Sequence, residues 1–164
     1  MRYSLLMQRP ELSVAVVMRR RKLDNPWQSE LWEVAGVLAP YQGTDGSRLI
    51  VEHADESQWL HTGLKLQLYR DEGEGYYLNI TTPEPRIFVM WRMDGEQAVP
   101  HFVTVSSHEA SGLMDSGEEV GSVPMESEVG RWVAEFVHDN YRPEPKKKRI
   151  RPESFKHPAD RAKH

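Results

Sequence analysis

Hydrophobic side chains recur at every second position over much of this chain. In residues 13–20, Val14, Val16 and Met18 fall on one side of an extended backbone and Ala15 and Val17 on the other. A strand apolar on both faces belongs in the middle of its sheet. Asp24-Asn25-Pro26 interrupts the run, because proline restricts the residue before it and cannot donate to a ladder. A loop then carries Trp27 into a second strand over 31–38, where Trp32, Val34 and Gly36 alternate. Pro40, Gly43, Asp45 and Gly46 predict an exposed loop over 39–47, followed by short strands over 48–53 and around Trp59. Leu64, Leu66 and Leu68 alternate with Lys65, Gln67 and Tyr69, and alternation resumes over 76–82. The intervening Asp71-Glu72-Gly73-Glu74-Gly75 predicts a hairpin turn whose glycines take positive φ. A strand over 86–93 places Ile87, Val89, Trp91 and Met93 on one face, and Asp94-Gly95 turns it into a partner over 98–105.

The period then changes. Ser106 followed by Glu109 fits a capping box, predicting a short helix over 107–115 that stops at Gly117. Residues 120–123 form a last strand, ended by Pro124. Val129, Trp132, Val133, Phe136 and Val137 follow i, i+3, i+4, i+7, i+8 spacing, which predicts a helix over 126–140 that lays an aromatic stripe on the sheet. The fold class is α+β: an antiparallel twisted sheet or partly closed barrel of about six to eight strands, packed by the C-terminal amphipathic helix and a shorter one.

Length and charge divide this picture. The 164 residues suit one domain, but residues 142–164 carry nine Lys/Arg against three Asp/Glu, whereas 1–141 carry twelve against twenty-two. An acidic domain over 1–141 therefore continues into a basic segment. With Pro143, Pro145, Pro152 and Pro158 and few large apolar side chains, 142–164 is expected to be a disordered tail. The apolar stretch 12–18 is far shorter than the ~20 residues that span a bilayer. Its basic residues follow rather than precede it, unlike a signal peptide, so a cytoplasmic protein is expected.

Candidate chemistry is sparse. Cysteine is absent, which removes thiolate nucleophiles, disulfides and sulfur-ligated metal. The seven histidines show no His-Glu-x-x-His and no helical pairing, and neither phosphate loop nor nucleophile elbow occurs, so no metal and no cofactor is expected. Asp71 and Glu72 on their turn are read as solvated charge, or as a polar contact surface beside Tyr69, Tyr76 and Tyr77. The tryptophans are core candidates, with exposure left open for Trp27 in its loop. Lys146, Lys147, Lys148, Arg149 and Arg151 attract acidic protein surfaces, nucleic acid or anionic lipid, or simply solubilise the chain.

Several segments together resemble a bacterial domain-of-unknown-function family. They are Arg21-Lys22-Leu23-Asp24-Asn25-Pro26-Trp27, Trp32-Glu33-Val34-Ala35-Gly36-Val37-Leu38 and Leu68-Tyr69-Arg70-Asp71-Glu72-Gly73-Glu74-Gly75-Tyr76-Tyr77-Leu78-Asn79, with Val103-Thr104-Val105-Ser106, Asp115-Ser116-Gly117-Glu118-Glu119, Trp132-Val133-Ala134-Glu135-Phe136-Val137 and the basic tail. The resemblance implies a cytoplasmic protein whose gene lies among those for molybdenum-dependent formate dehydrogenases and their accessory factors, and it brings no catalytic residues. The expected function is a non-enzymatic accessory protein that assists assembly, maturation or regulation of such an enzyme, with a formate dehydrogenase subunit or accessory factor as partner. Trp27, Asp71, Glu72 and the tail cations Lys146, Lys147, Lys148, Arg149 and Arg151 are its candidate contacts. The rival is a small hydrolase or transferase using Asp71, Glu72, His101 or His108 as acid or base, which requires these groups to converge in a pocket. A third reading is nucleic-acid binding through the tail.

Overall fold

The computed structural model describes residues 10–143, so Lys146, Lys147, Lys148, Arg149 and Arg151 and most of the expected tail lie outside the described residues. Strands β1 (Glu11–Lys22), β2 (Glu30–Leu38), β3 (Arg48–Glu52) and β4 (Glu56–Gln67) form one antiparallel sheet in the order β2-β1-β4-β3. Strand β1 is central, as its two apolar faces predict, and both its neighbours run antiparallel to it. The stretch around Trp59 and the Leu64–Leu66 alternation prove to be one strand, β4. Its register on β1 shifts between the Val14–Leu64 and Val16–His61 pairs, so Thr62 and Gly63 together face Ala15. Gly63 supplies φ +83° at this bulge.

The chain then departs from its predicted hairpin. Residues Arg70–Glu72 form a 3-10 turn and Gly73–Ile80 form helix α1, where a turn and a strand over 76–82 were expected. Gly73 has φ −51°, a helical value, so positive φ is not what this glycine supplies. Instead a Cβ on Gly73 would stand 2.9 Å from the Cβ of Tyr141, and one on Gly75 would overlap Ser106 Oγ. The glycines let the helix approach its neighbours closely. Tyr76 and Asn79, three apart, share the buried side of α1 while Leu78 is exposed, a period of 3.6 that the alternation of Tyr76, Leu78 and Ile80 conceals.

Strands β5 (Arg86–Asp94), β6 (Gln97–Thr104) and β7 (Glu119–Pro124) make a second antiparallel sheet, ordered β6-β5-β7. The α+β class stands, with the seven described strands divided between two sheets and no closed barrel. Helix α2 (Ser107–Asp115) ends at Gly117, with φ +86°, and α3 (Ser127–Asn140) closes the described chain. The sheets face one another, β4 on β6 and β2 on β7. They approach closely at Gly121, where a Cβ would stand 2.8 Å from Val34 Cγ2. Val14, Val16 and Leu66 from the first sheet meet Ile87, Val89 and Val103 from the second in one buried cluster. Each such side chain contributes about 1.5–3 kcal/mol. The apolar stripe of α3 also closes on α1: the ring of Phe136 meets that of Tyr76 edge-on at 5.8 Å.

Candidate functional site

At one end of the four-stranded sheet the β1–β2 hairpin projects its loop. Leu23 N–H donates to Ser29 O at 2.9 Å across the loop neck, and Lys22 N–H donates to Asp55 O at 2.8 Å, tying the hairpin to the β3–β4 turn. Asn25 Oδ1 accepts from Trp27 N–H at 2.9 Å, a local turn that suits Asn before Pro. The loop is thus braced, yet Trp27 is 93% exposed. Behind it, the rings of Trp32 and Trp59 lie 5.2 Å apart, and the Arg20 guanidinium sits 6.0 Å from the first and 5.4 Å from the second. This is cation–π geometry. Leu49 and Ile50 on edge strand β3 are 43% and 45% exposed, whereas Trp32 belongs to the buried core.

A second constellation joins α1 to α2. Ser106 caps α2 by accepting from Glu109 N–H at 3.1 Å, as the capping box predicts. The return arm differs: Glu109 Oε1 accepts from Thr104 Oγ1 at 2.7 Å, and Thr104 Oγ1 accepts from Ser106 N–H at 3.0 Å. A hydroxyl is thereby inserted into the box. Ser106 Oγ donates its own proton to Glu72 Oε2 at 2.6 Å, which Gly75 permits by having no Cβ. Burial pushes the Glu109 carboxyl up; the Thr104 bond opposes this and the charge of Glu72 reinforces it. Tyr76, fully buried, accepts from Tyr69 N–H at 2.8 Å, and burial pushes its phenol up. One helical turn on, Asn79 Oδ1 accepts from Arg86 N–H at 3.0 Å while its Nδ2 donates to Arg86 O at 2.7 Å and Val105 O at 2.9 Å.

The structure therefore separates Asp71 from Glu72. Asp71 is exposed, whereas Glu72 is half-buried and hydrogen-bonded to a serine thirty-four positions along the chain, so the expected shared acidic surface is reduced to Asp71 and Glu74. A shallow groove of about 450 Å³ lies against α2, lined by Phe102, Glu109, Gly112, Leu113 and Ser116. It takes in none of Asp71, Glu72, His101 or His108, the groups the enzymatic reading needs together. His101 and His108 are exposed. The field of His101 falls instead on Glu118, whose carboxyl is held low first by its hydrogen bond from Arg92. Among the described residues, no group of three His, Asp or Glu side chains is placed to hold a metal ion. Missed from the sequence were Glu72–Ser106, Asn79 and the Arg20–Trp32–Trp59 cluster. The paired glycines 73 and 75 and the spacing of Thr104, Ser106 and Glu109 were the available signals.

A family model described as "Protein of unknown function (DUF3305)" matches residues 13–150, from β1 into the basic run beyond the described chain. No curated protein and no solved structure matches the chain. Among the described residues, no helix is long and apolar enough to cross a membrane.

Proposed function

We propose the following reading of a chain that belongs to the family described as Protein of unknown function (DUF3305): it is a non-enzymatic binding module. It assists assembly, maturation or regulation of a molybdenum-dependent formate dehydrogenase in the cytoplasm. The observation that carries the binding role is Trp27, 93% exposed on a loop braced at its neck and at its tip. A tryptophan covers about 150–250 Å² when buried, on the order of several kcal/mol at ~25 cal/mol per Å² before the costs of association. A fold that spends backbone bonds on holding that side chain in solvent is suited to placing it in a partner's pocket. Leu49 and Ile50 on edge strand β3 of the same sheet are further exposed apolar side chains.

The assignment of the partner as a formate dehydrogenase subunit or accessory factor rests on the sequence resemblance. Deleting the gene and measuring formate dehydrogenase activity and molybdenum content in cells that depend on the enzyme tests it. Activity should fall, and the wild-type gene should restore it while Trp27→Ala should not. Unchanged activity in the deletion strain would overturn the assignment.

A further inference from the structure

The negative charge of the fold is concentrated in its second half. Residues 70–143 carry fourteen Asp/Glu against five Lys/Arg, whereas 10–69 carry eight against six. Asp71, Glu74 and Leu78 are spaced three and four apart and exposed, so they form one outward stripe along α1 and the turn before it. Among the described residues neither Asp71 nor Glu74 has an ion-pair partner, and Leu78 is 42% exposed between them and the helix end. Arg70 is the cation on the same turn.

The exit point is adjacent. Tyr141, at the C-cap of α3, packs over the start of α1: its ring centre lies 5.4 Å from that of Tyr77, and a Cβ on Gly73 would stand 2.9 Å from its Cβ. Five positions later begins Lys146-Lys147-Lys148-Arg149-Ile150-Arg151. Five residues reach at most about 17 Å, and an eight-residue helix is about 12 Å long, so the whole stripe lies within range of the run. The family match extends to residue 150, taking in most of this run together with the fold.

We propose that residues 146–151 dock on the outward face of α1 in the same chain, with the lysines and arginines against Asp71 and Glu74 and Ile150 over Leu78. Sign and reach match, and so does the one exposed apolar side chain of the stripe, Leu78, with the one apolar residue of the run, Ile150. The short tether supplies an effective concentration in about the millimolar range, which makes contacts too weak for separate molecules effective within one. A partner surface of greater negative charge competes for the same run.

The chain has no cysteine, so Ser154→Cys accepts one nitroxide label on the full-length protein. In the ¹⁵N-labelled chain, amides of residues 71–78 should lose roughly half their intensity relative to the reduced label, while those of β3 stay near full height. Asp71→Asn with Glu74→Gln, both at exposed positions, should restore most of that loss without moving the β1–β4 amide shifts. Salt near 1 M should do the same, since the screening length falls to about 3 Å. Equal broadening of 71–78 and β3, or broadening unchanged by the double variant, would overturn the proposal. Broadening of the same strength when a spin-labelled chain is mixed with an unlabelled ¹⁵N chain would overturn it too, by assigning the contact to a second copy.

Discussion

The two halves of the fold handle polar groups in opposite ways. In residues 10–69 one network gathers the paired surface charges: consecutive Arg19, Arg20 and Arg21 engage Glu33, Glu56 and Glu30, three of that half's eight carboxylates, with Arg19 and Arg21 each 2.7 Å from Glu33. Yet two buried nitrogens, Trp32 Nε1 and His61 Nε2, have no hydrogen-bond partner among the described residues. In residues 70–143 the buried polar groups Asn79, Thr104 and Ser106 are all hydrogen-bonded, while among the described residues only Glu84 and Glu118 of fourteen carboxylates are paired with an arginine. The sheet half is held by apolar packing and presents an apolar, aromatic end to solvent. The helical half is held by a polar lattice and presents carboxylates. Specificity of the helical arrangement follows, because buried groups that must find partners reject alternatives.

The strongest test of that contrast is Asn79→Ala, which strands Arg86 N–H and two carbonyls in the interior. It should cost about 3 kcal/mol or more in urea unfolding. A loss below about 1 kcal/mol would mean the lattice does not hold the helical half. Glycines separate the halves next. Gly75→Ala drives a methyl into Ser106 Oγ and should cost about 1–3 kcal/mol, whereas Gly36→Ala in β2 meets nothing within 4 Å and should stay within about 0.5 kcal/mol.

Acid and base act on the two halves with opposite sign. His61 is held below its ordinary value by burial, so the fold favours neutral imidazole. Its contribution is full above about pH 6.5 and is lost as pH falls through the lowered value. Glu109 is held above the ordinary carboxylate range, first by burial, so the fold favours the protonated acid. Its contribution is full in acid, below the ordinary Glu range, and is lost as pH rises through the raised value. Glu109→Gln should therefore stabilise the protein at neutral pH, and the gain over wild type should shrink on acidification. A gain that grows in acid would reverse the assignment. Smallest of all is Glu33→Gln, which releases Arg19 and Arg21 on a partly exposed surface. About 0.5 kcal/mol, vanishing in high salt, is expected from thermal melts.

Legibility in the sequence followed the same division. Alternation exposed β1, β2 and β5, the Asp94-Gly95 turn gave β6, Pro124 bounded β7, and the capping pair placed α2 on its observed residues, because period, turn and cap are local properties. Helix α1 was misread for a physical reason: its glycines serve contacts with Tyr141 and Ser106, residues remote in sequence, and glycine followed by acidic residues imitates a turn. The split of one expected sheet into two depends on β7 returning beside β5 and meeting β2 at Gly121, which no local pattern encodes. Of the candidate site, Trp27 was legible through its place after Asn25-Pro26, whereas Glu72 was half-read, since its bond to Ser106 crosses the fold.

The binding role of the apolar end can be measured by affinity capture with tagged full-length protein from cells growing on formate with molybdate, comparing wild type with Trp27→Ala at equal loading. Trp27 touches solvent in the free protein, so the variant should unfold within about 0.5 kcal/mol of wild type. Capture of a formate dehydrogenase subunit or accessory factor should nevertheless fall about thirtyfold in affinity, the equivalent of a ~2 kcal/mol hot spot. Equal capture of such a protein by both forms, or its absence from both, would contradict the account.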